Sequence, residues 1–343
     1  MKKHDNTLYV TTQGAYLARE GNSVLVRVEK QTRLRVPIHN LGGIVCFGNV
    51  GCSPFLMGLC GQEGVGISFL TRNGRFLARV LGPQKGNVLL RRAQHRMTAD
   101  QTAAADFARI IIAAKIANAR TVLQRARRDH GDRVASDRID WAVRRLGNML
   151  AEMERSMPLD EARGKEGEAA KAYFSAFDNL ILQRKDAFFF RERTRRPPRD
   201  NINALLSFLY SLLINDVAAA CQSIGLDPQM GFLHGDRAGR ASLALDLVEE
   251  LRPMVADRLA LSLVNRQQVE PKGFTQTETG GVEMDDATRK TLLVAYQKRK
   301  DEELMHPFLK EKVTVGLLPH VQARLLARWI RGELDAYPPF FWK

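Results

Sequence analysis

Along the first eighty residues the apolar positions tend to fall at every second place. In Ser23 to Glu29, Val24, Val26 and Val28 alternate with Leu25, Arg27 and Glu29, the period of two that belongs to a strand with one buried face. Leu8 to Thr11, Ala15 to Arg19, Leu34 to Ile38, Gly43 to Phe47, Val65 to Leu70 and Phe76 to Val80 also read as strands. Gln13-Gly14 and Glu20-Gly21-Asn22 turn the chain between early strands, and Asn73-Gly74 predicts a hairpin between the last two. One short helix interrupts the series. Ser53 offers an N-cap oxygen, Pro54 suits the first helical position, and Gly61 can end the helix.

After Lys85 the period lengthens to that of a helix. Thr102 to Arg128 places Phe107, Ile110, Ile111, Ala114 and Ala117 on one stripe, with cations off it. Further helices are predicted over Ser136–Met157, Asp160–Leu180, Asn201–Ile224, Ser242–Leu251, from Pro253 to about Asn265, Asp286–Lys300 and Leu318–Leu334. Residues 266–282 hold turn formers and read as a loop or small hairpin. The predicted fold class is α+β: a small N-terminal β-sheet domain over residues 1–83, then a larger all-α C-terminal domain over 84–343.

No uninterrupted apolar run approaches the ~20 residues of a membrane-spanning helix, and the basic start has no apolar stretch behind it, so neither a membrane span nor a signal peptide is expected. Cys46, Cys52, Cys60 and Cys221 are too few and too irregularly spaced for a disulfide framework or a zinc knuckle. They read as buried thiols in a reducing, cytoplasmic compartment. The charge changes the picture more. Fifty-two Lys and Arg against 38 Asp and Glu leave +14 in 343 residues, which points to a polyanionic partner.

The excess is concentrated. Lys85 to Asp129 carries a net +7, with Arg120, Arg125, Arg127 and Arg128 at its end, and Arg184 to Arg199 a net +5, including Arg191, Arg193, Arg195 and Arg196. These eight arginines are the candidate contacts to a nucleic-acid phosphate backbone. Phe188-Phe189-Phe190, inside the second cluster, reads as a loop anchor rather than a base-stacking platform. The last seven residues, Tyr337 to Lys343, include four aromatics. Free exposure to water is unfavourable for them, so docking on the chain's own helical domain is expected.

Three acidic positions stand out. Glu166 lies between Gly164 and Gly167 in a helical pattern, where each glycine costs ~1 kcal/mol relative to alanine. Close approach of something bulky to the backbone is one reason to tolerate them, and a plain kink the other. Asp246 and Glu249 are three apart on a predominantly apolar helix, hence on one face. A metal ion, or Arg252 as an internal partner, could satisfy such carboxylates. His234 sits just upstream in the turn Gly231-Phe232-Leu233-His234-Gly235, a nitrogen donor leading into a two-carboxylate helix.

At these residues the sequence resembles the Cas1 family, the CRISPR-associated integrases, and within it the branch found with subtype I-C systems. The resemblance rests on Lys115-Ile116-Ala117-Asn118, Asn201-Ile202-Asn203-Ala204-Leu205-Leu206-Ser207, Glu166-Gly167, the His234 turn and Asp246…Glu249…Arg252-Pro253, with the β-then-α order. It implies a metal-dependent DNA endonuclease and integrase in which a 3′-hydroxyl attacks a phosphodiester of the repeat. It implies Glu166, His234 and Asp246 or Glu249 as ligands of Mn²⁺ or Mg²⁺, with Glu250 adjacent to the last position, and no protein nucleophile. Double-stranded DNA is the expected substrate. A homodimer, paired through the N-terminal domain, is the expected state, with a Cas2 protein bridging two dimers and a Cas4 protein often joining them. Two other classes compete: a non-enzymatic nucleic-acid scaffold in which these acids form internal salt bridges, and a metal hydrolase of small phosphoesters.

Overall fold

The computed structural model describes residues 6–83, 88–131 and 136–342. The chain divides into two compact units, Met1–Lys85 with Leu293–Asp301, and Gly86–Leu292 with Glu302–Lys343. The first is strand-rich and the second mostly helical.

In the first unit the strands are β1 (Thr7–Val10), β2 (Tyr16–Glu20), β3 (Ser23–Val28), β4 (Gln31–Pro37), β5 (Gly43–Phe47) and β6 (Gly51–Cys52). After helix α1 (Pro54–Glu63) come β7 (Gly66–Leu70) and β8 (Phe76–Val80). They form two four-stranded sheets, ordered β1-β5-β7-β8 and β4-β3-β2-β6. The first three strands of the former run parallel and β8 closes it antiparallel through the Asn73-Gly74 turn. Leu17, Val24, Ile44, Cys46, Leu56 and Ile67 fill the core. Ser23 to Val26 are buried in succession, so β3 is covered on both faces in its first half and alternation under-reports its burial. Ser53 caps α1 as expected, its hydroxyl accepting from Leu56 N at 3.2 Å. The helix runs past Gly61 and ends where Gly64 turns left-handed at φ 71°. Gly61 instead permits a close approach, since a Cβ there would meet Gly82 Cα at 2.7 Å and the two backbones touch at this point. Burial pushes the Cys46 and Cys60 thiols up to about 12 and Cys52 to about 11, which keeps them inert.

The second unit holds α2 (Val88–Ala99), α3 (Gln101–His130), α4 (Ser136–Glu152), α5 (Leu159–Ser175), α6 (Asn201–Ile224), α7 (Ser242–Arg252) and α8 (Arg258–Asn265). Two-stranded ribbons, β9 (Phe274–Gln276) with β10 (Val282–Met284) and β11 (Glu303–Met305) with β12 (Lys312–Thr314), flank α9 (Asp286–Asp301), and α10 (Leu318–Ile330) follows. α9 begins in the second unit and its last residues belong to the first. Asp100 starts α3 by accepting from Thr102 N and Ala103 N at 2.9 and 3.2 Å. Phe107, Ile111, Ile112, Ala114 and Ile116 are fully buried on it, the larger ones worth ~1.5–3 kcal/mol each. α3 packs against α4, α5 and α7, and α6 against α7 and α10.

One expectation is corrected here, and two helices add to the sequence reading. Pro253 does not break the chain into two helices, because a π-turn over Pro253–Asp257 carries α7 into α8. α2 is a helix that the periodicity does not announce, its pattern being diluted by cations. And α6 is long and apolar enough to cross a membrane by length and composition, but it is largely buried within the unit as a core helix. Phe188 and Phe190 are buried while Phe189 is partly exposed, and Phe190 packs on Phe174 and Phe177 at 5.3 and 5.0 Å, so the triplet anchors its loop.

Candidate active site

The turn before α7 folds back onto that helix because Gly231 lets it. A Cβ at Gly231 would meet Ser242 at 2.7 Å and Asp246 Oδ2 at 2.9 Å. Asp246, fully buried, then gathers the turn: its Oδ2 accepts from Phe232 N and Leu233 N at 2.6 and 3.0 Å, and its Oδ1 from His234 N at 3.0 Å. The same Oδ1 lies 2.7 Å from His234 Nδ1. Arg163 on α5 holds the turn from the other side, Nε donating to Leu233 O at 2.9 Å. Asp246 thus spends both oxygens on the turn and the imidazole. Of the two carboxylates expected to share metal binding on this helix, Asp246 is the one already engaged in this way. It fixes the ring so that Nδ1–H donates and Nε2 keeps the lone pair that a metal would use.

Glu249, one turn further along α7, faces elsewhere. Its Oε1 pairs with Arg252 at 2.8 Å and its Oε2 lies 2.7 Å from Lys115 Nζ on α3. Lys115 also hydrogen-bonds Glu166 on α5. One part-buried ammonium therefore contacts both of these carboxylates that the sequence singled out. The contact to Glu249 Oε2 is close but poorly directed, and that oxygen has no hydrogen bond of good geometry. Burial alone would push Glu249 up, yet the Arg252 and Lys115 cations outweigh it and hold the carboxyl well below the usual range. The converse holds at Lys115: burial would lower it, but Glu249 and then Glu166 raise it above an ordinary lysine. His234 is close enough to act on Glu249 as well. Beside Glu166, a Cβ on Gly164 or Gly167 would meet nothing within 4 Å. No protein group crowds these glycines, and α5 runs through them without a break.

Behind the carboxylates lies a second layer that sequence reasoning missed. The Arg252 guanidinium sits over the Tyr210 ring at 4.9 Å. Tyr210 and Tyr173 donate to the two oxygens of Asp257 at 2.6 and 3.1 Å. Asp257 is buried in the π-turn, and burial pushes it up to about 6 despite those bonds. Glu250 has partners other than those of Glu249. It accepts from Tyr337 Oη and Phe340 N, both at 2.6 Å, and burial pushes it up to about 7. For Lys115 a signal existed in the Lys115–Asn118 motif; for Tyr173, Tyr210 and Asp257 periodicity gave none.

The donor set suits a divalent cation: two anionic oxygens, one of them buried without a directed hydrogen bond, and one oriented imidazole nitrogen. Among the described residues no three His, Cys, Asp or Glu side chains close on one point tightly enough to hold an ion, and the Lys115 ammonium contacts both Glu166 and Glu249.

The basic clusters divide into two kinds. Arg193 is part-buried, bonded to Asn203 Oδ1 at 2.7 Å and Ser207 Oγ at 3.1 Å and lying over Tyr210. Arg120 donates to Val143 O at 3.1 Å and Arg127 to Gly131 O at 3.0 Å. Arg125 stacks on Trp342 at 3.9 Å. These four, expected as DNA contacts, also have partners within the fold. Arg128, Arg191, Arg195 and Arg196 are exposed, Arg128 paired with Asp129 and Arg191 resting on Phe189.

Comparison with known proteins identifies the family. The family model for CRISPR associated protein Cas1 matches residues 8–298. The chain is 53% identical over 343 residues to CRISPR-associated endonuclease Cas1 1 of Chlorobaculum tepidum, covering 100% of both. It is 32% identical to a Cas4 exonuclease/Cas1 endonuclease fusion of Geobacter sulfurreducens, over 97% of this chain and 60% of the fusion. The solved structure of a CAS1 protein from Thermotoga maritima superposes with a TM-score of 0.82 at 25% identity, over 97% of this chain and 99% of that one. With the same β-then-α order and a family match spanning the glutamates, histidine and lysine of the site, the chain belongs to the Cas1 family.

Proposed function

We propose that the chain is a divalent-metal-dependent DNA endonuclease and integrase that inserts new spacer DNA into a CRISPR array. Glu166, Glu249 and His234 are the metal-holding residues of this reading, and Asp246 orients the imidazole. The observation that carries it is the convergence of Glu166 and Glu249 on one part-buried cation beside a histidine whose Nδ1 is already engaged. A Mn²⁺ or Mg²⁺ held by these residues would supply Lewis-acid stabilisation of the charge on the phosphoryl and leaving oxygens and lower the pKa of the attacking 3′-hydroxyl. The chain's own residues do the rest. Arg252 keeps Glu249 ionised; Asp246 holds His234 in the tautomer that presents Nε2; the open strip along Gly164 and Gly167 admits a sugar-phosphate backbone beside Glu166. Nitrogen ligation favours Mn²⁺ over Mg²⁺.

Double-stranded DNA is the substrate, held in part by the exposed Arg128, Arg191, Arg195 and Arg196. The strand-rich residues 1–83 pair two copies, and residues 84–343 carry catalysis and DNA binding. A Cas2 protein bridges two dimers and a Cas4 protein joins them. Structures sharing the fold include a Cas6-RT-Cas1–Cas2 complex, and a Cas4–Cas1 fusion is among the relatives. The branch is that of subtype I-C systems, and the compartment is the cytoplasm. The deciding measurement is Mn²⁺-dependent nicking of duplex DNA by wild type and Glu166→Ala, alongside calorimetric titration of Mn²⁺. Wild-type turnover in Glu166→Ala would sink the assignment. One observation favours the scaffold reading instead: Lys115 and Arg252 already neutralise both glutamates. On that reading neither protein nicks DNA and Mn²⁺ does not bind.

A further inference from the structure

The segment Tyr337–Trp342 lies against the helix that carries Glu249, within the same unit. Glu250, the next residue, is enclosed by it. Tyr337 Oη donates to Glu250 Oε1 and Phe340 N to Oε2, each at 2.6 Å. Asn118 on α3 joins the pieces: its Nδ2 donates to Glu250 O at 2.7 Å and Phe340 O at 2.8 Å, and its Oδ1 accepts from Trp342 N at 2.7 Å. Asn118 is one turn along α3 from Lys115. The Trp342 ring is held between Arg125 of α3 and Arg258 of α8, at 3.9 and 4.6 Å. Tyr337 and Phe340 are each 1% exposed.

This end of α7 needs outside support. Pro253 lacks an N–H and so removes one backbone donor from the stretch just after Glu249 and Glu250. The π-turn that follows lets the helix axis shift. A carboxylate there meets a metal ion reproducibly only if its backbone is fixed.

We propose that Tyr337–Trp342 is a positioning strap for the ligand helix, fixing the backbone of Glu249 through Glu250 and Asn118 and tying it to the turn of α3 that carries Lys115. Its bearing on metal affinity rests on the reading of Glu249 as a ligand; its bearing on α7 does not.

The test uses the full chain and two variants, Tyr337→Phe, which removes one donor and keeps the ring, and Asn118→Ala, which removes the junction. Hydrogen exchange of the Ser242–Arg252 backbone should quicken about tenfold in both, with α4 unchanged. Mn²⁺ affinity should fall about 10-fold by calorimetry, within the range for groups that support a ligand. Ile139→Val, in the α4 core, supplies a comparison of general destabilisation and should leave Mn²⁺ affinity in place. Unaltered α7 exchange in both variants overturns the strap, as does an equal loss of Mn²⁺ affinity in Ile139→Val. If wild type and Glu249→Gln take up Mn²⁺ alike, the metal reading fails, and exchange still decides the strap.

Discussion

Asp246 and Glu249 stand one turn apart on one helix and do opposite work. Asp246 is saturated by the amides of the His234 turn, while Glu249 faces two cations with one oxygen poorly bonded. Asp246→Asn should therefore keep both glutamates in place but lose the partner that fixes the imidazole. Nicking should fall 10–100-fold, and the melting temperature should fall too because the amide sets a donor against a backbone N–H of the turn, measured by gel assay and calorimetry. Lys115→Met should act differently. It removes the cation that Glu166 and Glu249 share and leaves Arg252 on Glu249 alone, so the metal-free melting temperature drops and millimolar Mn²⁺ restores it. Equal melting temperatures with and without Mn²⁺ would count against the shared-cation arrangement. The i, i+3 spacing told that two carboxylates share a face. It could not tell which of them meets the turn and which meets α3, because that depends on residues about 130 positions away. The same limit hid Lys115, whose motif was visible and whose partners were not.

At the scale of elements, the basic clusters carry the next expectation. Arg195 and Arg196 are exposed, whereas Arg193 beside them is bonded to Asn203 and Ser207 on α6. Charge reversal of Arg195 and Arg196 should lower the slope of log affinity against log salt by about two, at ~0.9 per phosphate contact. Arg193→Ala should leave that slope alone and lower the melting temperature instead. A salt titration of fluorescent-duplex binding, paired with thermal melts, separates the two. Charge density in sequence marked the right segments, but a guanidinium aimed inward and one aimed at solvent are written identically. Regular elements were more legible. The β-hairpin at Asn73-Gly74 and the bounds of α6 were readable because their signals are local. The ribbon β11–β12 and the passage through Pro253 were not, since three-residue strands and a π-turn are held by tertiary packing rather than by propensity.

Across the whole molecule, buried acids tie stability to pH in an unusual direction. Asp257 is pushed from 3.8 up to about 6 by burial. Between those values the folded chain keeps a proton that the unfolded chain has released, so this group's contribution to stability falls as pH rises from about 4 to about 6. Urea unfolding across that window should show a fall in wild type that is weaker in Asp257→Asn; parallel curves would contradict the burial argument. The α6 helix has a different molecular consequence. Its 24 residues are apolar enough for a bilayer, and their compatible surroundings in the folded chain are the other helices of its unit. Once that unit opens, α6 meets other exposed apolar surface or lipid, and recapture competes with aggregation. The working lifetime of the protein is then set by how fast the helical unit opens, and not by the equilibrium between folded and unfolded chains.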